Sequence, residues 1–130
     1  MKAIQFAISG IDYYLMFNGE AMFTIRDAYG SADELVNKML PDTREGFMLT
    51  CESAALLFEQ GELSRRYAGY EPQVIITAEA LQRILQPAEI ANLKLAIPRA
   101  IGLGYGREIE PDKGDEIKLD LIELDKKKPN

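Results

Sequence analysis

The sequence predicts an α+β protein that is mostly helical: an N-terminal β-hairpin packed on about five helices, followed by a weakly ordered acidic tail. Three observations carry this. Apolar residues alternate with period two over the first 17 positions and take up three- and four-residue spacing after Asn18. The helical stretches open at capping residues and several close at Gly or Pro. The composition shifts at residue 107, where apolar periodicity gives way to charge. Residues 1–106 therefore read as one globular domain and 107–130 as a charged, partly disordered tail.

The hairpin comes first. Ile4, Phe6 and Ile8 alternate with Ala3, Gln5 and Ala7, and Ser9-Gly10 is a turn signal. Ile11, Tyr13, Leu15 and Phe17 then alternate with Asp12, Tyr14 and Met16. Two strands alone are marginal in water, so the hairpin needs a cover. Its uncovered edge would also admit self-association, which makes a homo-oligomer an expectation.

Five helical segments follow. Asn18 as N-cap and Gly30 as C′ residue bracket a helix over residues 19–29, with Met22, Ile25 and Tyr29 on one face and Phe23 beside them. Ser31 and Glu34 form a capping-box pattern that opens a second helix, stopped by Pro41, with Leu35, Val36, Met39 and Leu40 as its stripe. Asp42-Thr43 starts a longer third helix, on which Phe47, Cys51, Ala54, Ala55 and Phe58 make a wide apolar face. Gly61 either ends or punctuates it, since 62–70 keeps helical composition up to Gly69 and Pro72. After the short apolar run Val74-Ile75-Ile76, Thr77 caps a fourth helix through Leu81, Ile84 and Leu85. Pro87 suits the first turn of a fifth, striped by Ile90, Leu93, Ile97 and Ile101. Pro98 predicts a kink inside it, and Gly102, Gly104 and Gly106 are expected to end it. In the tail, Ile117, Leu119 and Leu121 alternate with Lys118 and Asp120, the pattern of a short strand or of a segment ordered by a partner.

Composition excludes several kinds of chemistry. The chain has no histidine, which removes Ser-His and Cys-His nucleophile pairs and the usual base near neutral pH. A single cysteine rules out an internal disulfide and suits a reducing compartment. The net charge of −6 argues against nucleic acid and against anionic membrane surfaces. Residues 1–10 lack the pattern of a signal peptide, and no apolar run approaches the roughly 20 residues of a spanning helix, so the cytoplasm is the expected location.

The remaining motifs read more simply as structure than as chemistry. Gly102-Leu-Gly-Tyr-Gly106 follows a helix instead of opening one and lacks phosphate-loop spacing. Cys51 lies mid-helix on the apolar face beside Glu52, with no cation to activate it. Asp33-Glu34 and Glu108/Glu110 have no diagnostic spacing; the first pair suits a helix N-terminus. No catalytic, metal-binding or cofactor-binding residue is expected, and no cofactor. Arg65, Arg66, Tyr67 and Tyr70 form the basic-aromatic cluster. Such a cluster closes a helix, where cations favour the dipole, or anchors a protein partner.

Two segments, LMFNGEAMFTIRDAYG at residues 15–30 and EQGELSRRYAGY at 59–70, lie in an order that resembles the tail assembly chaperones of long-tailed bacteriophages and prophages. The resemblance covers roughly residues 4–106 as pattern. It implies a non-enzymatic protein that binds the tape-measure protein, a long helical chain with exposed apolar faces, and keeps it soluble until tail-tube subunits polymerise around it. It also implies programmed frameshifting, for which Lys126-Lys127-Lys128 would mark an A-rich slip site; a solubilising tail is the simpler account of that run. The Leu and Met faces of the first helices, with the 65–70 segment, are the expected partner contacts: Met22, Phe23, Leu35, Met39, Arg65, Arg66, Tyr67 and Tyr70. A small regulatory or adaptor domain of a mobile element or host is the rival. An enzyme built on carboxylates or a bound cofactor is a third possibility, which a deep polar pocket would favour and a shallow apolar groove would not.

Overall fold

The computed structural model describes residues 2–107 together with the backbone of 116–118. The order is β1 (Lys2–Ile8), β2 (Ile11–Leu15), α1 (Gly19–Tyr29), α2 (Ala32–Met39), α3 (Arg44–Ala68), α4 (Ala78–Ile84), α5 (Pro87–Gly104) and β3 (Glu116–Lys118). The expected α+β architecture, a hairpin on five helices among the described residues, is what forms.

Ser9 and Gly10 turn the hairpin with φ of +51° and +79°, the left-handed pair whose twist matches that of the flanking strands. That two-residue loop sets Ile8 opposite Ile11, and with it Phe6 opposite Tyr13 and Ile4 opposite Leu15. All these residues point to one face. Phe58 of α3 packs there, its ring 5.2 Å from Tyr13 and 6.4 Å from Phe6. Leu93, Ile97 and Ile101 of α5 close the same core, as their spacing predicts.

Both outer edges of the hairpin have neighbours over part of their length, β1 at Lys2–Ile4 and the β2 side around Tyr14–Met16. β3 pairs antiparallel with β1, giving the order β2-β1-β3 and placing Ile117 opposite Ala3. The predicted alternation of the tail is thus a strand over Glu116–Lys118; Leu119, Leu121 and the terminal Lys126 run lie outside the described residues. On the other side, α3 lies along β2. The Met16 amide donates to the Leu57 carbonyl at 3.1 Å. Gly61 is where the two backbones come closest, because a Cβ there would overlap the Tyr14 carbonyl oxygen. The helix therefore passes through Gly61 and stops at Gly69, whose φ of +98° lets the Gly69 and Tyr70 amides close on the Arg66 and Arg65 carbonyls.

The predicted caps are in place. Asn18, Ser31, Thr43 and Thr77 each accept a backbone N–H with the side-chain oxygen at 2.9–3.1 Å. Asn18 does more: its Nδ2 donates to Gln60 Oε1 at 3.0 Å, tying the start of α1 to α3. Asn18→Ala is therefore expected to lose both bonds and about 1–2 kcal/mol, at the upper end for a cap, read from urea unfolding; Thr77→Ala, with the cap bond alone, should lose less.

α5 runs unbroken through Pro98 and through Gly102 to Gly104. It stops where Gly106, at φ +79°, turns the chain and the Arg107 amide closes on the Gly102 carbonyl. Gly102 and Leu103 are buried, so packing carries the helix past the first glycine. The Val74-Ile75-Ile76 run is irregular backbone, with Ile76 buried and Val74 left 78% exposed. No described helix is long and apolar enough to cross a membrane.

Candidate functional site

The predicted partner contacts are not one surface. Leu35 and Met39 are fully buried in the core, so they hold α2 in place and are unavailable to a partner. Met22 is half-buried against the same core, while Phe23, on the other side of α1, is 55% exposed beneath the Arg26 guanidinium. The helical period separates neighbours in this way: adjacent residues diverge by about 100°.

Arg65, Arg66 and Tyr70 do come together, but around a residue that the sequence reading passed over. Glu62 is buried near the end of α3. Its carboxylate accepts from Arg65 Nη1 at 2.7 Å, from Arg66 Nε at 2.9 Å and from the Gln73 amide at 2.7 Å. Arg65 Nη1 also donates to the Glu71 carbonyl and Arg66 Nη2 to the Gln73 carbonyl. The Arg65 guanidinium lies between the rings of Tyr14 and Tyr70, 5.4 and 5.3 Å from their centroids. This network straps residues 70–77 back onto α3. Arg65 is itself buried, and its Nη1 donates within the protein, to Glu62 and to the Glu71 carbonyl. Of the cluster, Tyr67 is the most exposed at 78%, and Arg66 is partly exposed beside it. Glu62 was legible in principle, since Glu at i with Arg at i+3 and i+4 is the helical ion-pair spacing.

A concavity lies elsewhere, between the starts of α3 and α5. It is an open groove of about 700 Å³. Phe47 of α3 and Pro87, Ile90 and Ala91 of α5 make its apolar floor. Asp42, Arg44 and Lys94 stand at its rim. Lys94 Nζ donates to the Leu40 and Pro41 carbonyls at 3.2 and 3.1 Å, a cation on the last turn of α2 that also ties α5 to the 40–43 connection. Leu40 is 49% exposed beside it. Phe47 was expected on the core face of α3; its half-buried ring serves both core and groove.

No family model, curated protein or solved structure matches the chain. The functional reading therefore rests on the chain's own residues.

Among the described residues no group of three His, Cys, Asp or Glu side chains is placed to hold a metal ion. Cys51 is fully buried, and burial, with the Glu52 charge behind it, pushes its thiol up to about 11. A thiol in that state is a core side chain and a poor nucleophile. Ellman's reagent at pH 8 should release no thiolate equivalent from the folded protein and a full equivalent in guanidinium. Tyr29 is raised as well, by burial and by donating its hydroxyl to Glu52 Oε1 at 2.7 Å. That bond spans α1 to α3, and it is structural in the same sense as the Glu62 network.

Proposed function

We propose that the chain is a non-enzymatic tail assembly chaperone of a phage or prophage, acting in the host cytoplasm. It binds apolar helical surface of the tape-measure protein and helps tail-tube polymerisation. The observation that carries this reading is the open, apolar-floored groove between α3 and α5. Its shape suits the side chains of another polypeptide, and its floor holds Phe47 and Ile90, with Asp42 as the one carboxylate lining it among the described residues. The order of the segments at residues 15–30 and 59–70 adds the family resemblance.

Physically, the task is transient cover of apolar helix surface. A partner whose apolar face is left in water aggregates, and a groove that shields it competes with that association. The net charge of −6 keeps the complex dispersed. Phe23 and Tyr67 remain contacts outside the groove that a long partner reaches. The test is co-expression with the tape-measure protein of the same locus. The expected result is a shift of that protein from pellet to supernatant and its co-purification with this chain. An unchanged soluble fraction rejects the reading.

A further inference from the structure

We infer that the groove between α3 and α5 takes an amphipathic helix whose apolar face is flanked by carboxylates. The inference rests on the reading of this groove as the partner-binding face and narrows the chemistry of what binds there.

The walls decide that the occupant is helical. Both are α-helices, whose backbone N–H and C=O groups beyond the first turns are spent on their own ladders. An extended segment would find no strand edge on which to continue a ladder. A helix brings its backbone already satisfied and needs only somewhere to put apolar side chains. Phe47, Pro87, Ile90 and Ala91 supply that floor. Two exposed apolar residues outside the lining, Met48 and Leu95, stand one helical turn beyond Arg44 and Ala91.

The rim decides the flanking charge. Arg44 and Lys94 line the groove against the single carboxylate of Asp42. Arg44 makes no ion pair among the described residues. Lys94 is held by two carbonyl oxygens, which orient the ammonium without neutralising it. Both walls also begin at this groove, and the carboxylates in their first turns, Glu45 and Glu89, offset the helix dipoles but do not line it. Glu89, in the first turn of α5, accepts from the Gln86 amide and does not line the groove. On a chain of net charge −6, the groove is thus where an acidic helix is attracted and most other surface repels it.

The test uses the full chain and two fluorescein-labelled helical peptides of about 20 residues, with Leu at i, i+3, i+4 and i+7 and either Glu or Lys flanking that stripe. Anisotropy titrations at about 50 mM and about 300 mM NaCl compare them. The Glu-flanked peptide should bind roughly tenfold tighter, with the difference shrinking at the higher salt. Arg44→Glu should reverse the preference. Ala91→Trp should fill the groove and abolish binding of both peptides. Both positions are exposed, and circular dichroism and melting confirm that the variants fold. Equal affinities, binding that survives Ala91→Trp, or no binding of either peptide overturns the inference. Self-association lost in Ala91→Trp, with neither peptide bound, assigns the groove to a second copy and overturns it too. Failure of the chaperone reading is distinguishable. Peptide preference without solubilisation of the tape-measure protein rejects that reading alone. Solubilisation that survives Ala91→Trp rejects this inference alone.

Discussion

Gly61→Ala is expected to lower the melting temperature by about 10 °C, the reverse of what a Gly-to-Ala change does inside an ordinary helix. In an isolated helix the added methyl would stabilise by about 1 kcal/mol. Here the Cβ runs into the Tyr14 carbonyl oxygen, and behind it the Tyr14 carbonyl carbon and Cβ. The obstacle is strand backbone, which cannot rotate aside as a side chain does. Helix α3 must move off β2. That move loosens the Met16 amide on the Leu57 carbonyl and the Ser64 hydroxyl on Met16 Sδ. Overpacking of this kind costs about 3 kcal/mol, which outweighs the propensity gain. Gly19→Ala is the control: nothing lies within 4 Å of a Cβ there, so the melting temperature should hold or rise. A Gly61→Ala protein that melts at or above the parent temperature would mean that helix and strand do not approach as described.

Glu62→Gln is expected to cost about 3–5 kcal/mol and to release residues 70–77, because it leaves the buried Arg65 guanidinium without its counter-charge. The energetic weight lies in the loss of one partner, since a buried cation left alone costs far more than an intact pair contributes. Arg66 is half-exposed and would recover solvation, so Arg66→Gln should cost much less. Two readouts separate the strap from simple loss of stability. Hydrogen exchange at the Gln73 amide, which donates to Glu62, should quicken before the core does, and limited proteolysis should begin within residues 70–77.

The same carboxylate has a pH signature. Burial pushes Glu62 up, but the Gln73 amide, Arg66 and Arg65 pull harder and hold it below its ordinary value. A carboxyl depressed in the folded state contributes stability that is fully present above its unfolded pKa of about 4.3 and is lost as pH falls through the lower folded value. Parent stability should therefore fall on acidification below about pH 4, while Glu62→Gln, already lacking the titration, shows a shallower loss over that interval. Equal acid slopes for the two proteins would remove Glu62 from the account.

How much of this was legible in the residues depends on the distance over which each cause acts. The Ser9-Gly10 turn, the Asn18, Ser31, Thr43 and Thr77 caps and the Leu93-Ile97-Ile101 stripe all follow from chemistry within one turn of chain, and all form where their spacing places them. Glu62 was readable as an ion-pair spacing, yet its burial and its grip on Gln73 were not, because they require residues 70–77 to fold back on α3. The groove was not readable at all. Phe47 and Ile90 looked like core on their own helices, and only the meeting of α3 with α5 leaves them lining an opening.

By itself, then, the sequence determined where each helix begins, how the hairpin turns and which faces need cover, because caps, turns and periodicity are local. The tertiary structure decided what covers them. It buried Leu35 and Met39 while leaving Leu40 and Leu95 in solvent, set β3 against the start of β1 and α3 against the β2 side, and required glycine at position 61. An apolar stripe states that a surface must be removed from water; which neighbour removes it depends on contacts between residues far apart in the chain, and no local pattern encodes them.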